Sequence, residues 1–171
     1  MSNSLHQSFF QQDVLTVAPL LLGQHIIRKL PNGEEIRLKI TQTEAYRGDG
    51  DLGCHASKGR TKRTEIMFHE GGLIYVYLVY GMHWMLNIVT GEKENPQAVL
   101  IRETETYTGP GKLTKALQID KSFYGENIVN SQRLTLASDQ KKYNYTTAPR
   151  VGIDYAGEYW ANQPWRFILN T

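Results

Sequence analysis

The 171 residues predict an α+β fold built around a mainly antiparallel β-sheet, in one domain spanning residues 1–171. Three observations carry this reading. Apolar, β-branched and aromatic runs recur along the chain with turn signals between them. The helical stretches are short. No internal repeat, low-complexity tract or Pro/Ser-rich linker divides the chain, and 40% hydrophobic with 21% charged residues is the composition of a chain that buries a core.

The elements follow in order. After a polar lead, Thr16 is placed to cap a short helix over residues 17–22, with Pro19 in its first turn and Gly23 as the left-handed stop. Residues 24–30 and 34–46 flank the turn Pro31-Asn32-Gly33, and Ile36, Leu38 and Ile40 alternate with charged neighbours, which predicts a hairpin with one wet face. Residues 47–72 are rich in Gly, Thr and charge and read mostly as loop; a loop of that length usually carries function. LIYVYLVYG, HWMLNIVT and QAVLIRE then read as three strands, separated by turns at Gly81 and over residues 91–96. A short helix is expected behind Pro110, and RLTLA, APRVGI and PWRFILN are weaker strand candidates in the last third.

Composition excludes several function classes. No apolar run approaches the ~20 residues of a membrane helix, and the N-terminus lacks the basic-then-apolar order of a signal peptide, so a soluble, cytoplasmic protein is expected. One cysteine, Cys54, forms no intrachain disulfide and is too few for a Cys-rich zinc site. His55, His69 and His83 lack the short helical spacing of a hydrolytic zinc motif, so no metal is expected. The net charge is only +2, but Lys58, Arg60, Lys62 and Arg63 cluster within residues 58–63, leaving 15 basic against 17 acidic residues elsewhere.

Several positions have chemical potential. Glu44 and Tyr46 leave the same face of one strand end, where Glu44 is either a general base or a solvated, salt-bridged charge. Tyr75 and Tyr77 share a face, while Tyr80 has the opposite parity or lies at the turn; three tyrosines so close serve as a stacking platform or as core. Tyr80-Gly81-Met82 at a hairpin tip has the form of a wedge for a base stack. Asn87 and Arg102 are polar within apolar runs and need partners: a backbone group and an acid, or a ligand edge and Glu44 or its water.

Taken in order, TEAY, the His55 loop, Met67-Phe68, LIYVYLVYGM, LNIV, VLIR, GPGKL, RVGIDYAGE and PWRF resemble the alkyladenine DNA glycosylase family, also called 3-methyladenine or methylpurine DNA glycosylases, from about Leu20 to Leu169. The resemblance implies a curved sheet with a hairpin that inserts into DNA, and a monofunctional, cofactor-free base-excision enzyme. Such an enzyme flips alkylated or deaminated purines out of double-stranded DNA and hydrolyses the N-glycosidic bond with an activated water. It implies Glu44 as general base, Arg102 as the arginine that helps hold the water, Tyr46, His55 and Tyr77 as base-pocket walls, and Asn87 as the residue that disfavours guanine. Tyr80 matches the residue that fills the gap in the duplex, while Met82 and the segment with Arg60, Lys62 and Arg63 match positions facing DNA. His83 stands where animal relatives have tyrosine, the loop before Met67 is one residue shorter, and the animal N-terminal extension has no counterpart, so a compact, bacterial-type monomer is expected. Read without the resemblance, the aromatic strands and basic loop equally suit a single-strand nucleic-acid module or a binder of small aromatic ligands.

Overall fold

The computed structural model describes residues 3–48 and 50–171. Along the chain come β1 (Asn3–Ser4), helices α1 (Gln7–Phe10) and α2 (Val14–Leu20), β2 (His25–Lys29), β3 (Glu35–Tyr46), β4 (Ile74–Val79), β5 (His83–Thr90) and β6 (Gln97–Thr104). Helix α3 (Pro110–Ala116), β7 (Leu134–Ser138), β8 (Tyr145–Ala148), the single turn α4 (Glu158–Ala161) and β9 (Arg166–Leu169) complete it. The described strands form one sheet in the order β1-β7-β2-β3-β6-β5-β4, with β9 on β3 and β8 on β9, and every pairing is antiparallel. This is the α+β architecture that the short helices and recurrent strand runs predict. Among the described residues no helix is long and apolar enough to cross a membrane.

Strand periodicity sorts the side chains into two layers. On β3, β4, β5 and β6, Ala45, Ile74, Val76, Leu86, Ile88, Val99 and Ile101 point to one face and pack with Val14, Val17 and Ala18 of α2 and Leu113 of α3 in the main core. Their alternates, Tyr75, Val89 and Ala98, point to the other face and form a smaller cluster with Cys54, Ala56 and Met67 from the loop after β3. The candidate residues on these four strands, Glu44, Tyr46, Tyr77, Asn87 and Arg102, share the second parity. The loop therefore acts as the cover of this face, which gives it a packed role beyond connection.

Local chemistry explains where the elements depart from expectation. The cap of α2 is Asp13, whose carboxylate accepts the Leu15 amide at 2.8 Å; Thr16 lies inside the helix, and Pro19 falls in its last turn. Gly23 does follow the helix with φ 83°, and a Cβ there would lie 2.3 Å from the Tyr143 ring. The wet face of the β2–β3 hairpin ends at Ile40, since Gln42, Thr43, Glu44 and Ala45 are all buried, packed by α2 on one face and paired along the edge with β9. APRVGI is not a strand: β8 stops at Ala148, before Pro149, and Arg150 turns inward to meet Asp51. Residues 47–72 are mostly irregular, with 3-10 turns at His55–Lys58 and Glu65–Phe68.

Candidate active site

Strand register assembles the site from residues far apart in sequence. Tyr75 pairs with Asn87, Asn87 with Leu100, and Leu100 with Glu44, so one row crosses β4, β5, β6 and β3; Tyr46 pairs with Ala98 in the next row. Tyr46, Cys54, His55, Met67, Tyr75, Tyr77, Asn87 and Ala98 enclose a cavity of about 20 Å³. That is room for about one water. The His55 and Tyr77 rings meet edge to face, 4.5 Å between centroids, and Tyr75 lies 5.4 Å from Tyr77.

Glu44 is fully buried at the end of this row. Its Oε1 accepts from Arg102 Nη1 at 3.3 Å, and its Oε2 from the Val151 amide at 2.9 Å. Burial pushes its carboxyl above the usual carboxylate range, opposed by the Val151 hydrogen bond and then by the charges of Arg102, Arg150 and Arg166. Arg102 Nε is also buried and has no partner among the described residues. A carboxylate with a raised pKa, beside an arginine with a spare N–H, can take a proton from a water held between them.

The remaining walls are electrically quiet. Burial pushes the phenols of Tyr46, Tyr75 and Tyr77 up, so their hydroxyls stay protonated. Burial, with the charges of Arg63 and Lys58, lowers His55 to about 4, so the imidazole is neutral at physiological pH; its Nδ1 lies 2.9 Å from the Tyr75 hydroxyl. Cys54 is raised to about 11 by burial and remains a thiol, which removes it as a nucleophile. Asn87 is buried and donates through Nδ2 to the Tyr75 carbonyl at 3.2 Å, so it both satisfies a neighbouring backbone group and lines the cavity.

The positions expected to face DNA lie at the β4–β5 hairpin tip and in the loop after β3. Tyr80 is 93% exposed, with φ 53°, and Met82 is 68% exposed. The Met82 amide donates to the Val79 carbonyl at 3.1 Å, closing a turn whose central residues, Tyr80 and Gly81 (φ 66°), both have positive φ. Lys62 and Arg63 are exposed, and the Arg63 guanidinium lies 5.9 Å from the Tyr77 ring centre. Arg60 is committed within the protein: it grips both Glu94 oxygens at 2.7 Å, reaches Glu65 at 3.5 Å and covers the Phe68 ring. Among the described residues no three His, Cys, Asp or Glu gather into a metal-binding group.

Residue-by-residue reading missed the segment that closes the site from behind. Val151 supplies a hydrogen bond to Glu44, and Arg150 beside it forms a buried pair with Asp51 at 2.6 Å. An amide's direction has no signature in composition. The signal within reach was Asp51 and Arg150, each charged beside apolar or glycine neighbours.

Comparison with known proteins decides the family. The profile of the methylpurine-DNA glycosylase family matches residues 8–108 and 102–171. The chain belongs to the methylpurine-DNA glycosylase family. It is 42% identical to a Natranaerobius thermophilus protein over 96% of this chain and 94% of the relative, and 45% identical to a Borrelia garinii protein over 94% and 93%. A Methanocella arvoryzae protein is 39% identical over 95% of this chain and 90% of its own length. All three are provisionally named 3-methyladenine DNA glycosylases.

Proposed function

We propose that this family member is a DNA-3-methyladenine glycosylase of base-excision repair, which flips alkylated or deaminated purines out of double-stranded DNA and hydrolyses the N-glycosidic bond. The observation that carries this is Glu44, a buried carboxylate on the sheet face of the tyrosine box, fixed by Arg102 and the Val151 amide. Burying a charge costs several kcal/mol unless it is well partnered, and a binding module has no need of one here.

In the proposed reaction Glu44 accepts a proton from water as the water oxygen bonds to C1′ of the deoxyribose, and the bond from C1′ to the purine nitrogen breaks with its electron pair leaving on the base. Arg102 holds the water and Glu44 in register. Tyr46, His55 and Tyr77 would flank the base, and a cationic, alkylated purine against their faces gains about 0.5 to 2 kcal/mol that a neutral purine lacks. A neutral His55 and neutral phenols impose no like-charge penalty on such a base. Tyr80 and Met82 on the hairpin enter the stack, Lys62 and Arg63 approach phosphates, and the protein acts as a monomer without a cofactor. Arg60 reaches phosphate only by leaving Glu94.

The direct test incubates the purified protein with duplexes containing hypoxanthine, 1,N6-ethenoadenine or 7-methylguanine, then cleaves abasic sites with hot alkali and resolves the products. Strand scission at the lesion is expected. Intact strands for all lesions, with folded protein, would refute the reading.

The pH dependence separates the substrates. Both profiles rise on the acid side as Glu44 ionises, and because burial raises its carboxyl, the rise falls above the usual glutamate range. A 7-methylguanine base is already cationic and departs unaided, whereas neutral hypoxanthine must gain a proton to leave as a neutral base. Single-turnover rates should therefore plateau for 7-methylguanine and form a bell for hypoxanthine. Superimposable profiles would exclude this division.

Asn87 supplies a selectivity test. Asn87, held against the Tyr75 carbonyl at the cavity wall, would exclude a purine 2-amino group by bulk. Asn87→Ser should increase release of undamaged guanine relative to hypoxanthine, measured on matched duplexes. Unchanged selectivity in a folded variant would place the discrimination elsewhere.

A further inference from the structure

The most completely buried ion pair among the described residues lies behind the site, outside the chemistry above. Both Arg150 and Asp51 side chains are almost inaccessible. Arg150 Nη1 donates to Asp51 Oδ2 at 2.6 Å and Nη2 to Oδ1 at 2.8 Å, a fork against a carboxylate. Its guanidinium is held between two aromatic rings, 4.9 Å from the centres of both Tyr46 and Trp165.

Its two remaining bonds reach two separate segments. Nη1 also donates to the carbonyl of Ala45, between Glu44 and Tyr46, at 3.1 Å. Nη2 reaches the Trp160 carbonyl at 3.3 Å. Asp51 in turn accepts the amides of Arg47 at 3.1 Å and Gly53 at 2.9 Å, and so fixes the start of the loop that carries His55. Arg150 directly precedes Val151, whose amide holds Glu44. One guanidinium–carboxylate pair therefore ties the strand bearing Glu44 and Tyr46, the loop bearing the His55 wall, and the segment presenting the Val151 amide. There is no slack around it, because a Cβ on Gly53 would come within 3.0 Å of Arg150 Nη2.

Stability alone is a weak reason for such a pair, since well-packed apolar residues in its place are often as stable. Geometry is the stronger reason: misplacing a reacting group by ~1 Å costs on the order of 10²-fold in rate. We propose that Arg150, locked to Asp51, is a positioning residue for Glu44, holding the general base in register with the wall of the base pocket through the Ala45 carbonyl and the Val151 amide. This deepens the glycosylase reading and rests on it.

The groups that bear on Glu44 are Arg102 from β6, Arg166 from β9, Arg150 and the Val151 amide from residues 149–153, Tyr46 on its own strand and Tyr77 from β4. Arg150 is one of the three cations favouring the ionised carboxylate. Its removal should leave two signatures, a lower plateau and a displaced acid limb.

The experiment measures single-turnover excision against pH on a 7-methylguanine duplex for wild type, Arg150→Met, Arg150→Lys and Asp51→Asn, with duplex affinity and thermal melting in parallel. Arg150→Met should lower the plateau by ~10²-fold and move the acid limb up, with little change in affinity. Asp51→Asn leaves the arginine's charge unopposed, so the limb should move down while the plateau falls. Arg150→Lys keeps the charge and loses the fork, so the limb should stay in place with the plateau at least ~10-fold low.

If Arg150→Met does not fold, the lysine and asparagine variants decide. An unmoved limb in folded Arg150→Met, rates that track only the folded fraction, or a lysine variant at the wild-type rate would overturn the proposal. Failure of the glycosylase reading is distinguishable, because the wild-type protein itself would then release no base.

Discussion

Replacing Glu44 by Gln is expected to slow base release by at least ~10²-fold while leaving affinity for a lesion-bearing duplex intact. Gln keeps the shape and the oxygen that accepts from the Val151 amide but cannot take a proton from water. The same substitution has a second expected consequence. Burial raises the folded carboxyl above its unfolded value, so folding favours the protonated form; the stabilising contribution is complete below the usual carboxylate range and is lost as pH rises through the folded pKa. At neutral pH the wild type carries that cost and the variant does not, so Glu44→Gln should melt no lower than wild type there, and the difference should shrink in acid. Arg102 is 17% exposed and can turn toward water when its partner loses charge. A variant that is both inactive and no less stable is the signature of a group kept for chemistry. Near-normal excision would remove Glu44 as the base, and a large fall in melting temperature would assign it to the fold.

The parts of this picture that sequence made legible are those with a period. Alternation along LIYVYLVY puts Tyr75 and Tyr77 on one face, and the same parity rule puts Glu44 with Tyr46. Thr16 and Asp13 are both residue types that cap helices, and it is Asp13 that meets the Leu15 amide. APRVGI has strand-like residues, yet Pro149 cannot donate to a ladder and Arg150 finds a better partner in Asp51 than in solvent. Arg60 looked identical to Lys62 and Arg63 in the basic run, and Glu94, 34 residues away, sets it apart. What escaped the sequence were pairings across long separations: Glu94 with Arg60, Asp51 with Arg150, and a backbone amide at residue 151. Each joins segments that only the folded sheet and its loops bring together, and no local pattern encodes such a pairing.

Exchanging Tyr80 for Asn should separate the same two quantities at the hairpin. A bulky residue at positive φ is strained by about 1–2 kcal/mol, and a turn with two central residues of positive φ favours Asn-Gly over Tyr-Gly. The Tyr80 ring recovers nothing by burial, being 93% exposed. Tyr80→Asn is therefore expected to raise the thermal midpoint slightly. Its binding should change in the opposite direction. If the ring fills the gap left by an extruded nucleotide, its loss removes about 1–3 kcal/mol of stacking, a roughly 5- to 150-fold weaker affinity for the lesion duplex. Affinity for undamaged duplex, which comes from phosphate contacts, should change little. Binding isotherms on matched lesion and undamaged duplexes, with melts of both proteins, measure all three quantities. Equal lesion affinity in wild type and variant would leave the strain without function and move the wedge to Met82, while a drop in stability would show that the tyrosine supports the turn.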